Sequence, residues 1–214
     1  MELYDYFRSS ASFRVRIGLN LKGLSPERRF IHLTRDGGEQ FGSDFTKLNP
    51  QQLVPVLVDE GEAFTQSLAI LEYLDETHPE PPFLPKDAAG RARVRALALS
   101  IACDLHPLNN LRVLFYLKDQ MDQPEEARNA WYRHWVAKGL EALEGALAGG
   151  VHTGDFCHGD VPGLADICLV PQIFNAKRFD CTLDAYPVVM RVFETCMAHS
   201  AFDAAQPAKQ PDAE

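Results

Sequence analysis

Residues 1–6 alternate apolar and polar side chains, the spacing of a short, half-buried strand. A serine-rich turn follows, Arg8-Ser9-Ser10-Ala11-Ser12. From residue 14 to 22, Val15, Ile17, Leu19 and Leu21 stand among Arg14, Arg16, Asn20 and Lys22, and a helix is expected. Residues 27–33 alternate weakly and read as β. Asp36-Gly37-Gly38 marks a loop, and residues 40–48 fit a short helix or an irregular turn. Residues 53–58 form an apolar run interrupted by Pro55. Asp59-Glu60-Gly61-Glu62 then supplies hairpin-turn chemistry, with a short return strand at Ala63 and Phe64. Leu68, Ile70, Leu71 and Leu74 fall at helical spacing within residues 66–77. The order β-α-β-α-β-β-α fits a small mixed sheet covered by helices.

Prolines 79, 81, 82 and 85 then make a stiff, extended linker. Beyond it, strand signals vanish. Residues 88–120 and 125–148 read as long amphipathic helices, with Gly149-Gly150 ending the second. Residues 164–177 and 186–199 read as shorter ones, the latter with Pro187 in its first turn. The last dozen residues, rich in Ala, Pro and Gln, read as frayed. The expected organisation is therefore an α/β domain over 1–80, a linker over 81–87 and an all-α domain over 88–214. A cleft between two such domains is a common ligand site.

Composition narrows the function. Of 214 residues, 46% are hydrophobic and 24% charged, ordinary globular proportions. A formal net charge of −9, without a basic block, argues against a nucleic-acid partner. No apolar run is long enough for a membrane span, and no secretory leader is apparent at the start, so a cytoplasmic protein is expected. The five cysteines contain no CxxC pair, and Cys157 beside His158 is too little for a zinc site, so reduced thiols and no metal are expected.

The turn from first strand to first helix carries the clearest chemistry. Serine hydroxyls there can cap free N–H groups, and the positive end of the helix dipole favours an anion, thiolate or carboxylate. An ordinary N-cap beside a solvated arginine is the alternative. Val54 before Pro55 presents backbone groups that an extended peptide can pair with, and a cis bond there costs only about 0.5–1 kcal/mol. Ser67 stands at a second helix start, another carboxylate site or a plain cap. His106 and Asn110, four apart, share one face of the expected long helix, with Arg112 about 240° round from His106.

The α/β unit, Pro-rich linker and helical remainder together resemble the soluble glutathione transferases over essentially the whole chain. Ser9-Ser10-Ala11-Ser12-Phe13-Arg14-Val15-Arg16-Ile17 is similar to the zeta-class signature. Asn49-Pro50-Gln51-Gln52-Leu53-Val54-Pro55 looks like that family's loop to a cis-proline, and Gln66-Ser67 its pair at the third helix. His106-Pro107-Leu108-Asn109-Asn110-Leu111-Arg112 resembles the bacterial maleylacetoacetate and maleylpyruvate isomerases of that class. The resemblance implies a thioredoxin-like first domain, a homodimer and glutathione as cofactor. Glutathione would be held by Ser9, Ser10, Gln40, Gln51, Val54, Pro55, Gln66, Ser67, His106 and Asn110, with Asp104 reaching its amine across a dimer interface. Simple surface roles stand beside those of Gln40, Gln51 and Asp104.

Two departures from the class are Ala11, where it has cysteine, and Gly163, where it caps a helix with Ser or Thr. Glycine caps tolerably, and Asp166 can serve the first turn. Without the cysteine, the site's sulfur nucleophile is glutathione's. The implied reaction is cis–trans isomerisation of a dianionic cis-enedione by thiolate addition, bond rotation and elimination. Ser9 and Ser10 would act on the thiolate, and Arg8, Arg112 and Arg178 would clamp the substrate's carboxylates. Conjugation or dehalogenation of small electrophilic acids is the alternative within enzymes, and a non-enzymatic binding module the alternative outside them. Leu111, Phe115 and Phe174 are candidates for the pocket around the substrate's tail, or for core.

Overall fold

The computed structural model describes residues 1–214. It divides into two compact units, Met1–Phe83 with His199–Glu214, and Leu84–Ala198.

In the first unit, β1 (Glu2–Asp5), β2 (Glu27–Phe30), β3 (Val56–Asp59) and β4 (Glu62–Thr65) form one sheet in the order β2-β1-β3-β4. β1 runs parallel to β2, with Leu3 opposite Arg28, and antiparallel to β3, with Leu3 opposite Leu57. Glu60 and Gly61, both at positive φ (49° and 86°), turn β3 into β4, the twist that a two-residue hairpin favours. Side-chain alternation divides the core between the two faces. Leu3 and Leu57 pack with Val15 and Leu19 of α1 (Ser10–Lys22) and with Ile70 and Leu74 of α3 (Ser67–Thr77). Tyr6, Phe7, Val54 and Val56 pack on the other side with Phe45 of α2 (Ser43–Leu48). Residues 40–48 therefore hold both a 3₁₀ turn (Glu39–Phe41) and a short helix. A Cβ on Gly18 would overlap the Leu71 side chain, so glycine sets how closely α1 and α3 approach. Gly23, at φ 67°, ends α1 in a left-handed cap, and the Leu24 N–H reaches back to the Leu19 carbonyl at 2.9 Å.

α1 is buried nearly all round, and Arg14 and Arg16 are each only 2% exposed. Arg16 donates to the carboxylate of fully buried Asp5 at 2.9 Å and to the carbonyl oxygens of Tyr6 and Phe7 at 3.3 and 2.9 Å. Arg28 donates to the other oxygen of Asp5.

The final segment corrects the expectation of a frayed tail attached to the helical domain. α9 (Ser200–Ala204) packs on α1, and Phe202 is fully buried. Asn20 donates to the Ala201 carbonyl at 2.8 Å, and Arg16 to that of Ala205 at 3.0 Å. Gln210 is buried and donates to the carbonyls of Ala204 and Gln206. One aromatic anchor and a set of side chain-to-backbone bonds hold what composition alone makes look loose.

The second unit contains α4 (Ala88–Leu99), α5 (Leu111–Asp119), α6 (Glu125–Ala148), α7 (Leu164–Arg178) and α8 (Pro187–Ala198). α7 is its centre, with Ile167, Cys168, Leu169, Val170, Ile173 and Ala176 fully buried. No helix of the chain is long and apolar enough to cross a membrane. The single long helix expected over 88–120 is in fact broken. A π-helical turn (Ser100–Leu105) and a 3₁₀ turn (His106–Asn109) separate α4 from α5. Pro107 has no N–H to donate and its ring crowds the preceding turn, and here the α-helical ladder breaks.

Candidate active site

The turn Tyr6-Phe7-Arg8-Ser9 joins β1 to α1. Ser9 is the N-cap of α1 in extended geometry (φ −67°, ψ 121°), and its Oγ accepts the Ser12 N–H at 3.2 Å. That bond uses a lone pair of the hydroxyl and leaves its proton to donate outward. Capping and anion binding are thus compatible at one serine. Ser10 is buried in the first turn. Arg8 is exposed, with its guanidinium 4.9 Å from the centre of the Phe7 ring. Burial pushes the Tyr6 phenol up, and the positive charge of Arg8 pulls it back.

Arg14 lies one turn further along α1 and donates to Ser67 Oγ at 3.2 Å. Ser67 is the first residue of α3 and is buried. Gln66 holds the cap position at φ 67°, and its amide donates to Gln51 Oε1 at 2.8 Å instead of capping the helix. Val54-Pro55 is cis, with both residues buried just before β3. The first unit thus ties the Ser9 turn, through Arg14, to Ser67, Gln66 and Gln51.

Gln40 is drawn inward rather than left on the surface. Its amide nitrogen donates to the Leu33 carbonyl at 3.3 Å, and its Oε1 is buried without a hydrogen-bond partner.

In the second unit the expected constellation is rearranged. Asp104 is exposed on the π-helical turn. His106 opens the 3₁₀ turn, whereas Asn110 caps α5, accepting the Arg112 N–H at 3.1 Å. The shared helical face expected for His106 and Asn110 therefore does not exist, because Pro107 separates them into different elements. Arg112 is exposed on the first turn of α5. Arg178 is exposed at the end of α7, 4.9 Å from the centre of the Phe179 ring. Phe115 is 39% exposed, whereas Leu111 and Phe174 are half-buried.

The cysteine nearest a carboxylate is no nucleophile. Burial, reinforced by Asp166, pushes the Cys157 thiol well up and does the same to Cys196. Asp166 accepts the N–H groups of Gly163 and Cys157 at 2.9 and 2.8 Å, so it serves the start of α7 in place of a side-chain cap on Gly163.

Arg14 on Ser67, Arg16 on Asp5, and Asp212, whose carboxylate accepts the Phe7 N–H, flank the Ser9 turn without having been assigned a role from the sequence. The available signal was two arginines set among the apolar positions of a helix that has no solvated face to hold them.

Comparison with known proteins agrees with this arrangement over the whole chain. Residues 3–82 match the domain family described as glutathione S-transferase, N-terminal domain, and residues 110–200 match its C-terminal domain. A probable maleylacetoacetate isomerase of Vibrio cholerae serotype O1 is 50% identical over 99% of this chain and 97% of its own. The holo structure of a bacterial zeta-class maleylpyruvate isomerase superposes with a TM-score of 0.97 at 45% identity, covering 100% of both chains. A maleylacetoacetate isomerase from Methylobacterium extorquens AM1, solved with malonate and glutathione bound, gives 0.96 at 42% identity, again over 100% of both. A thioredoxin-like sheet with two serine-bearing helix starts, a buried cis-proline and full-length likeness lead to one assignment: the chain belongs to the glutathione S-transferase family.

Proposed function

We propose that this chain is a glutathione-dependent cis–trans isomerase acting on maleylacetoacetate or maleylpyruvate. The observation that carries the reading is Ser9, whose hydroxyl is fixed by the Ser12 N–H at the start of α1 with its own proton left to donate. The residues present suit an anionic tripeptide. Ser67 at an uncapped helix start suits a carboxylate, Gln66 and Gln51 offer amides beside it, and Val54 offers backbone groups before β3. When bound, glutathione supplies a thiolate that adds to the cis double bond and leaves after rotation about the resulting single bond.

The chain's part is to hold charge. The Ser9 hydroxyl and the helix dipole stabilise the sulfur as an anion, with Ser10 behind them. Arg8, Arg112 and Arg178 are assigned to the substrate's carboxylates and to the negative charge that develops on its carbonyl oxygen. All three are exposed. The addition and elimination return the thiolate, so no net proton transfer is required. Ala11 supports isomerisation by glutathione's own sulfur, since no cysteine stands in the turn. A homodimer in the cytoplasm belongs to the same reading, with Asp104 exposed and able to meet a second copy's glutathione amine. Light scattering on the purified protein checks the dimer.

The test is isomerisation of both substrates, followed by absorbance with and without glutathione, in wild type and Ser9→Ala. The expected loss in Ser9→Ala is about 100-fold in kcat/KM, the scale of losing one donor to a developing anion. Activity within about twofold of wild type would remove Ser9 from the mechanism.

A further inference from the structure

The turn that presents Arg8 and Ser9 is held by three side chains. Two are nearby in sequence. Asp5 accepts the Tyr6 N–H at 2.7 Å, and Arg16 donates to the carbonyls of Tyr6 and Phe7. The Tyr6 carbonyl also accepts the Ser9 N–H at 3.0 Å, closing the turn on itself. A further polar group of the turn is the Phe7 N–H. It donates at 2.9 Å to Oδ2 of Asp212, 205 positions away.

Phe7 is 3% exposed, so its amide cannot turn to water without moving the turn. Oδ1 of Asp212 is buried and accepts no hydrogen bond. Its charge acts on Arg16 and Arg28, whose positive forms it favours against the opposing effect of burial. Asp5 alone gives one negative charge against those two arginines, and Asp212 supplies the second. Gln210, two positions earlier, accepts from Arg28 at 3.3 Å and fixes the segment to the same group.

We propose that Asp212 is a positioning residue for thiolate formation: by accepting the Phe7 N–H and balancing the buried arginine pair, it fixes the turn that aims Arg8 and Ser9. The segment following α8 then forms part of the support of the glutathione site. The functional half of this statement rests on the role proposed for Ser9. Asp212 touches neither glutathione nor substrate in this scheme, and acts through the backbone of Phe7.

The experiment compares wild type with Asp212→Ala and Asp212→Asn, measured as full chains below their melting temperatures. Asn keeps an oxygen for the Phe7 N–H but loses the charge. Two readouts are taken. Amide exchange is followed at Ser9 and Ser12, whose N–H groups bond within the turn and do not touch Asp212. Bound glutathione is titrated by its thiolate absorbance. The expected result for Asp212→Ala is exchange faster by about tenfold at both amides, with Leu57 unchanged. The apparent thiol pKa rises by about one unit, and kcat/KM falls by about tenfold. Asp212→Asn recovers part of each loss.

Wild-type exchange at Ser9 and Ser12 together with a wild-type thiolate titration in Asp212→Ala overturns the proposal, even if that variant melts earlier. Ser9→Ala, titrated alongside, separates the two readings. If it leaves the thiolate titration unchanged, the role of Ser9 fails. The exchange at Ser9 and Ser12 in Asp212→Ala then decides whether Asp212 holds the turn.

Discussion

The starts of α3 and α7 solve the same problem in opposite ways. Each has unpaired N–H groups and a positive dipole end. At α7 the answer is internal, since the side chain of Asp166, 1% exposed and with its pKa pushed up by burial, accepts the N–H groups of the cap residue Gly163 and of Cys157. At α3 no side chain of the helix caps the end, and the buried guanidinium of Arg14 donates to Ser67 Oγ there. Positive is added to positive. The first arrangement suits a helix that centres a core, the second the anion site proposed for Ser67.

The largest effect expected from this contrast is at α7. Asp166→Ala leaves the buried N–H of Cys157 and the part-buried N–H of Gly163 without an acceptor, a loss of about 3 kcal/mol. For a chain of this size that lowers Tm by about 9 °C in a thermal melt. Glutathione KM stays near wild type in the fraction that remains folded. A raised KM would show that the closed end also serves binding, and the contrast would collapse.

At α3 the order reverses. Arg14→Met raises KM for glutathione about tenfold with kcat changed less than about threefold, as expected when uniform binding of an anion is weakened. Ser67→Ala moves KM the same way by about fivefold, since the helix dipole and backbone donors remain. Initial-rate kinetics over a glutathione series separate the two parameters. If kcat falls while KM holds, α3 belongs to the chemistry rather than to the grip on the tripeptide. The smallest effect sharpens the α7 side. Gly163→Ser adds a hydroxyl at the cap and stabilises by a few tenths of a kcal/mol, measured by urea denaturation.

What the sequence disclosed was local. The Glu60-Gly61 hairpin, the serine turn, Val54-Pro55 and the helix starts at Ser67 and Pro187 each announce themselves within a few residues, because turn and cap chemistry is short-range. The partners of buried charge were invisible. Arg14 meets Ser67 across 53 positions, and Phe7 meets Asp212 across 205. The arginines interleaved with Val15, Ile17 and Leu19 carry no mark of burial in the sequence, whereas both are buried, Arg16 on Asp5, the turn carbonyls and Ala205, and Arg14 against Ser67. Residues 88–120 misread for the opposite reason. Their apolar period continues through Pro107, so the break shows only if proline is given more weight than periodicity. Asn110 thereby changes from a face residue to a cap.

The last consequence concerns synthesis. Asp5, Arg16 and Arg28 are translated before β3 and β4, the other half of the sheet. Ala205 and Asp212, which accept from Arg16 and from Phe7, are translated only after α4 to α8. A nascent chain can form the sheet early, yet it carries an incompletely neutralised pair of arginines until the whole helical unit has been translated. If Asp212 holds the turn as proposed, the turn bearing Ser9 is completed only then, and the first unit matures when the segment beyond α8 arrives.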